Sequence, residues 1–249
     1  MITAVIILFV IAPLAVVIVS SFTTEGYLNF PPQGFSLKWY GEAFGNDSFT
    51  QSLITSALLG LSTTAVSVIC GVPAAFGVSR LGGRLGFALE QIFLSPLTLP
   101  AVILGLGALF VLTSYGYNGT FVGGLLAHVI VASPFVLRSV LAGLQSLDRR
   151  LEDAAHSLGA GSFRTFFDIV LPSIRGSIIS GAIFAFVISF DEAVVTLFLT
   201  SSRFETLPVT IFSYVQYSND PSVAAISSVL VCISVVIVFL STHFSTKEV

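Results

Sequence analysis

The sequence predicts an all-α integral membrane protein of about six transmembrane helices, with one helical loop held outside the bilayer. Three observations predict it. Apolar residues make up 55% of the 249 and charged residues only 9%, where soluble domains carry about a quarter charged residues. Apolar runs of roughly 20 residues, the length that crosses a hydrocarbon core, recur six times. One sustained water-compatible stretch, Ser146 to Pro172, interrupts them. With a mean hydropathy of +0.98, the chain cannot cover a water-facing surface, so lipid must solvate part of it.

The spans are expected near residues 2–22, 52–79, 88–112, 120–142, 176–200 and 221–243. The first lacks a basic n-region and an Ala-x-Ala-like exit, and reads as a retained span. A polar segment rich in Gly, Pro and aromatics (23–50) follows it. A short basic loop (80–87), a tight turn (Ser114–Gly119), the long loop (143–175) and a second polar segment (201–220) separate the rest. The whole of 1–249 reads as one membrane domain. Gly60, Gly71, Gly77 and Gly105 are placed to let helices approach closely. Cys70 and Cys232 fall in apolar runs and read as small hydrophobes.

Orientation follows the basic residues. Arg80, Arg84, Arg149, Arg150, Arg164, Arg175 and Lys247 fall in the second and fourth connections and the tail, and Arg138 can snorkel to the same face. Lys38 and Arg203 stand on the opposite one. This bias puts both termini and the long loop in the cytoplasm, and an even number of spans agrees. Trp39, Tyr40, Tyr214 and Tyr217 then suit an outer aromatic belt, or, for Trp39, contact with an outer protein.

The long loop reads as a short amphipathic helix. Asp148 can cap its first turn, and Glu152 and Asp153 favour the positive end of its dipole. Leu151, Ala154, Ala155 and Leu158 recur at helical spacing. Gly159 can take the left-handed conformation that ends a helix. Ser162 can cap a second short helix, carrying Phe163, Phe166 and Phe167, before Pro172 redirects the chain. On the residues alone, two readings stand side by side: the rod docks in a partner's groove, or it lies on lipid headgroups.

Two adjacent carboxylates, Asp191 and Glu192, interrupt the fifth span. At about 1.5 Å per residue they lie roughly 20–25 Å from its cytoplasmic entry. Intramembrane carboxylates are costly and face a partner or a water-filled path. On a continuous helix Ser189, Glu192, Thr196 and Thr200 share a polar stripe, while Asp191 shares its side with Phe184, Ile188, Val195 and Phe198. That geometry points Glu192 at the pore or a partner chain. A hydrogen-bonded clasp between spans is the structural alternative for the pair.

Other residues point to no chemistry. The net charge of −3 carries no basic stripe for nucleic acid. His128 stands alone in the fourth span and reads as a packing residue, His156 as solvent-facing, and His243 as interfacial. No His, Cys and carboxylate group has metal-ligand spacing, and no catalytic set can be argued. A P-loop needs a lysine after glycine; Lys38 follows Leu37 and Lys247 follows Thr246.

The loop resembles that of binding-protein-dependent ABC importer permeases: Glu-Ala-Ala, three residues, Gly, nine residues, Ile-x-Leu-Pro. Here Asp153-Ala154-Ala155 precedes Gly159, and Ile169-Val170-Leu171-Pro172 falls at the matching distance. Asp153 departs from the usual Glu. The segment from Gln51 to Arg80, the prolines Pro96 and Pro100, and Leu207-Pro208-Val209-Thr210-Ile211 are similar to the family as well. The resemblance implies that Glu152, Asp153, Ala154, Ala155, Leu158, Gly159, Ile169, Leu171 and Pro172 couple to a cytoplasmic ATPase. It also implies a second permease chain, homologous or identical, two ATPase chains that bind ATP and Mg, and an extracytoplasmic solute-binding protein, at a bacterial inner membrane.

Ile188 to Val195 looks like the acidic fifth-span segment of the polyamine and opine branch. The implied cargo is an amine-bearing solute, spermidine or putrescine first, with an opine, amino acid or choline-like cation as alternatives. Ser189, Asp191, Glu192 and Thr196 are then its candidate pathway. Two other classes compete. A secondary transporter would couple Asp191 or Glu192 to an ion gradient, and a membrane enzyme would need clustered catalytic groups that this chain lacks.

Overall fold

The computed structural model describes residues 2–218 and 220–245, with residues 2, 4 and 237–245 as backbone only. Lys247 and the side chain of His243 lie outside the described residues. Helix dominates, with a single isolated bridge, Ser201 to Phe204, as extended pairing among the described residues.

Four apolar runs became single helices, three of them through an interior proline (Pro13, Pro73 and Pro134). These are α1 (Ile2–Ser20), α3 (Asp47–Leu81) and α6 (Phe121–Ser146), while the last run forms α13 (Ser222–Ser245). In a hydrocarbon solvent backbone polar groups must find internal partners, and a helix supplies nearly all of them. Helix α3 has 35 residues, about 50 Å at the α-helical rise, so it overreaches the bilayer core. The Asn46 side chain caps its start by accepting from Ser48 N at 2.9 Å.

The expected third span is not one helix. Residues 83–94 form α4 (Gly83–Leu94), a 3-10 turn covers Ser95–Thr98, and α5 (Ala101–Ser114) leaves at 101°. Pro96 and Pro100 bracket this corner; proline removes a backbone donor and biases the preceding residue away from helix. The basic loop expected at 80–87 shrinks to the Gly82–Gly83 corner, where both residues have positive φ. The fifth span is also divided, into α10 (Arg175–Asp191) and α11 (Val194–Leu199).

Neither polar connection is a plain loop. Segment 23–50 holds α2 (Lys38–Gly45), and 201–220 holds α12 (Leu207–Tyr217), whose first turn is buried. Trp39 is buried too, its indole N–H donating to the Thr23 carbonyl at 2.8 Å. It packs with Phe49, Leu207 and Val223, so it is neither a belt residue nor a docking residue. Tyr217 is exposed, as a belt residue would be.

The heart of the bundle is α3, α6 and α10, joined around Val72, Val136, Leu137, Val140 and Ala185. Small residues permit this closeness. A β-carbon on Gly71 would sit 3.1 Å from Val136, and one on Gly60 would sit 3.0 Å from Phe186. Gly77 meets nothing within 4 Å, so it makes no such contact. Cys70 and Cys232 are free and exposed on the apolar surface.

Contacts sort the connections into two ends. Asn46 Nδ2 donates to Tyr214 Oη at 3.0 Å, and Ser201 Oγ donates to the Gly119 carbonyl at 2.8 Å. Segments 23–50, 114–119 and 201–220 therefore share one end. Arg80 meets Glu152, so the basic connection and the long loop share the other, here called the loop end.

Candidate functional site

At the loop end α6 stops at Ser146, and Asp148 Oδ1 accepts from Arg150 N at 2.9 Å. Helix α7 (Arg150–Ser157) follows. Gly159, with φ +86°, reverses the chain, and Ala160 N donates to the Ala155 carbonyl at 3.0 Å. A β-carbon would be strained at that φ. Ser162 opens α8 (Ser162–Thr165), but its hydroxyl does not cap it. A π-helical turn, Phe166–Val170, and the short α9 (Leu171–Ser173) complete the loop.

The expected single apolar face of α7 is divided. Ala155 turns inward, while Leu151 and Leu158 point out, Leu158 being 89% exposed. Phe163 and Phe167 extend this outer patch, their rings 4.6 Å apart. Asp153, Ala154, Gly159 and Pro172 are also exposed, whereas Ile169 and Leu171 are half-buried. Glu152 is not outward: both carboxylate oxygens meet Arg80 Nη2, at 2.5 and 2.6 Å. Sequence reasoning missed this pairing, because Arg80 lies 72 positions away.

The second feature is the gap between α10 and α11. Glu192 adopts an extended conformation there. Its carboxylate turns back and accepts from Val195 N at 2.9 Å, which caps α11. This removes Glu192 from the stripe that a continuous helix would have made. Asp191, on the last turn of α10, is exposed and makes no ion pair among the described residues. Glu192 is thus held at the start of α11, and Asp191 is the exposed carboxylate of the two.

His128 holds the gap together. Its Nδ1 lies 2.8 Å from Ser189 Oγ and its Nε2 lies 2.8 Å from Thr196 Oγ1, with all three residues buried. Thr196 also donates to the Glu192 carbonyl at 2.8 Å. A hydroxyl has one proton, so Thr196 accepts from Nε2–H, which leaves Nδ1 to accept from the Ser189 hydroxyl. Ser189 and Thr196 therefore serve as links across the break. His128 is a packing residue with a defined duty, which a lone histidine in an apolar run does not reveal.

Bent and broken apolar helices, an exposed carboxylate where α10 ends and a loop projecting from one end define a membrane-embedded helical bundle. Its family follows from comparison. Residues 67–248 match the family described as binding-protein-dependent transport system inner membrane component, and the chain belongs to it. It is 28% identical over 236 residues to the spermidine/putrescine transport system permease protein PotC of Haemophilus influenzae, covering 95% of this chain and 91% of that one. It is 30% identical over 248 residues to the putrescine transport system permease protein PotI of Escherichia coli, covering 96% and 87%. Its fold is similar to a chain of a bacterial ABC transporter involved in the import of the acidic polysaccharide alginate. The TM-score is 0.72 at 15% identity, covering 99% of this chain and 93% of that one. The chain is thus a transmembrane permease subunit of an ABC importer.

Proposed function

We propose that the chain forms half of a translocation path for a small organic cation, a polyamine such as putrescine first. The observation that carries this reading is the exposed Asp191 carboxylate at the C-terminal end of α10. The last carbonyls of a helix carry partial negative charge. Broken spans use such ends to hold cations at the membrane midplane. A carboxylate at the same point adds a full charge where water access is limited, and an ammonium passing there gains a charge-assisted hydrogen bond. The names of PotC and PotI agree with that chemistry.

The drive comes from outside this chain. The exposed Leu151, Leu158, Phe163 and Phe167 form an apolar patch on a loop, and a cytoplasmic ATPase that binds ATP and Mg covers it. Two such ATPase chains, a second permease and an extracytoplasmic binding protein complete the assembly. The loop end and both termini face the cytoplasm of a bacterium. Residues 1–249 act as one membrane unit.

Uptake of labelled putrescine by the reconstituted complex tests the solute reading. Asp191→Asn lowers uptake about tenfold or more, the loss of one charge-assisted hydrogen bond. Glu192→Gln keeps a side-chain acceptor for Val195 N and changes uptake less. Unchanged putrescine affinity and rate in Asp191→Asn would remove the carboxylate from the path.

A further inference from the structure

Motion of the loop must reach the spans through some physical connection. Helix α7 packs mainly against α8 and the π turn of its own loop, not along a span. Of the described ion pairs, Lys38–Glu42 and Arg164–Asp168 are exposed and one helical turn apart. Arg80–Glu152 is of another kind. It joins α3 to α7, and its Glu152 side chain is 11% exposed.

The pair is also braced. The Arg80 guanidinium lies 4.8 Å from the centre of the Phe76 ring, and that ring meets Phe166 edge-on at 4.8 Å. The π turn and α7 thus converge on the last two turns of α3. A cavity of about 520 Å³ opens on one side, between Ser79, Gly86, Glu90, Gln145 and Arg149. Another of about 330 Å³, bordered by Asp153, His156 and Thr165, opens on the other. Arg80 lines both cavities, so the pair spans a space that side-chain packing does not fill.

The far end of α3 is equally committed. Asn46, its cap, bonds Tyr214, and Ser56 Oγ accepts from Leu207 N at 2.8 Å, both on α12. Force applied at Arg80 can travel along one continuous helix to the opposite end of the bundle.

We propose that the Arg80–Glu152 pair is the joint that transmits loop motion to α3, setting how much solute moves per ATP hydrolysed. This rests on the docking reading above. Both are positioning residues: they touch neither solute nor nucleotide. One guanidinium nitrogen reaches both carboxylate oxygens while the guanidinium plane rests against Phe76, and removing Arg80 strands the nearly buried Glu152 charge.

The test uses the full complex in proteoliposomes, with ATP hydrolysis and labelled putrescine uptake measured on the same samples. Arg80→Gln and Glu152→Gln are expected to retain the ATPase on purification. Their uptake per ATP is expected to fall about tenfold, the scale of one charged hydrogen bond. Arg80→Lys, which keeps the charge without the planar group that rests on Phe76, should fall between. The exchange Arg80→Glu with Glu152→Arg should recover most of the ratio. A normal ratio in the single variants overturns the joint. So does a loss of ATPase retention that the exchange fails to restore, since the pair would then only hold the loop's shape. If the wild-type complex retains no ATPase, the docking reading fails instead, and that outcome is visible before any variant is made.

Discussion

His128 shows at the scale of one residue what sequence spacing hides. In an apolar run it has no visible partner, and its partners lie 61 and 68 positions away. Its two ring nitrogens splint α10 to α11 because the intervening backbone is not helical. Replacing it with leucine leaves the Ser189 and Thr196 hydroxyls without that partner inside the bundle. We expect His128→Leu to destabilise the complex by about 1–3 kcal/mol, with His128→Gln intermediate. Thermal denaturation of the purified complex reads this directly; equal midpoints would mean that the splint bears no load. The adjacent carboxylates teach the same lesson. Their presence was legible in the sequence, and so was their cost. Which one stays exposed was not, because that depended on a helix break marked by neither Gly nor Pro.

At the scale of elements, length and apolarity located α1, α3, α6 and α13 within a few residues. Hydropathy measures how apolar a run is and carries no direction. It therefore merged α4 and α5 across a 101° corner, although Pro96 and Pro100 marked the place. It also left 201–220 as a polar segment, whereas Leu207, Pro208 and Val209 are buried against the bundle. Gly159 was legible, since a helix stop with no β-carbon has one common conformation. The contact of α5 with α11 depends on Gly105, where a β-carbon would lie 2.4 Å from the Phe198 ring. Gly105→Val should therefore cost about 1–3 kcal/mol of stability by overpacking. Phe198→Ala in the same chain should recover part of it, and the double-mutant cycle in thermal denaturation shows whether the two positions couple. Additive losses would place the clash elsewhere.

The whole molecule was the most legible scale. A chain with 9% charged residues has to be solvated by lipid, and the spaced loop motif marks the family. What the sequence could not show is how the parts are joined. A 35-residue helix runs from the Arg80–Glu152 pair at one end to α12 at the other. Close contacts at Gly60 and Gly71 hold it near its neighbours. The resulting account has a motor acting at one end and a path that carries the Asp191 carboxylate answering toward the other. Labelled putrescine uptake into proteoliposomes, with and without the ATPase subunit, tests this most directly. The account predicts uptake only when that subunit and hydrolysable ATP are both present, whatever the proton or sodium gradient. Uptake by the permease chains alone, driven by an ion gradient, would contradict it.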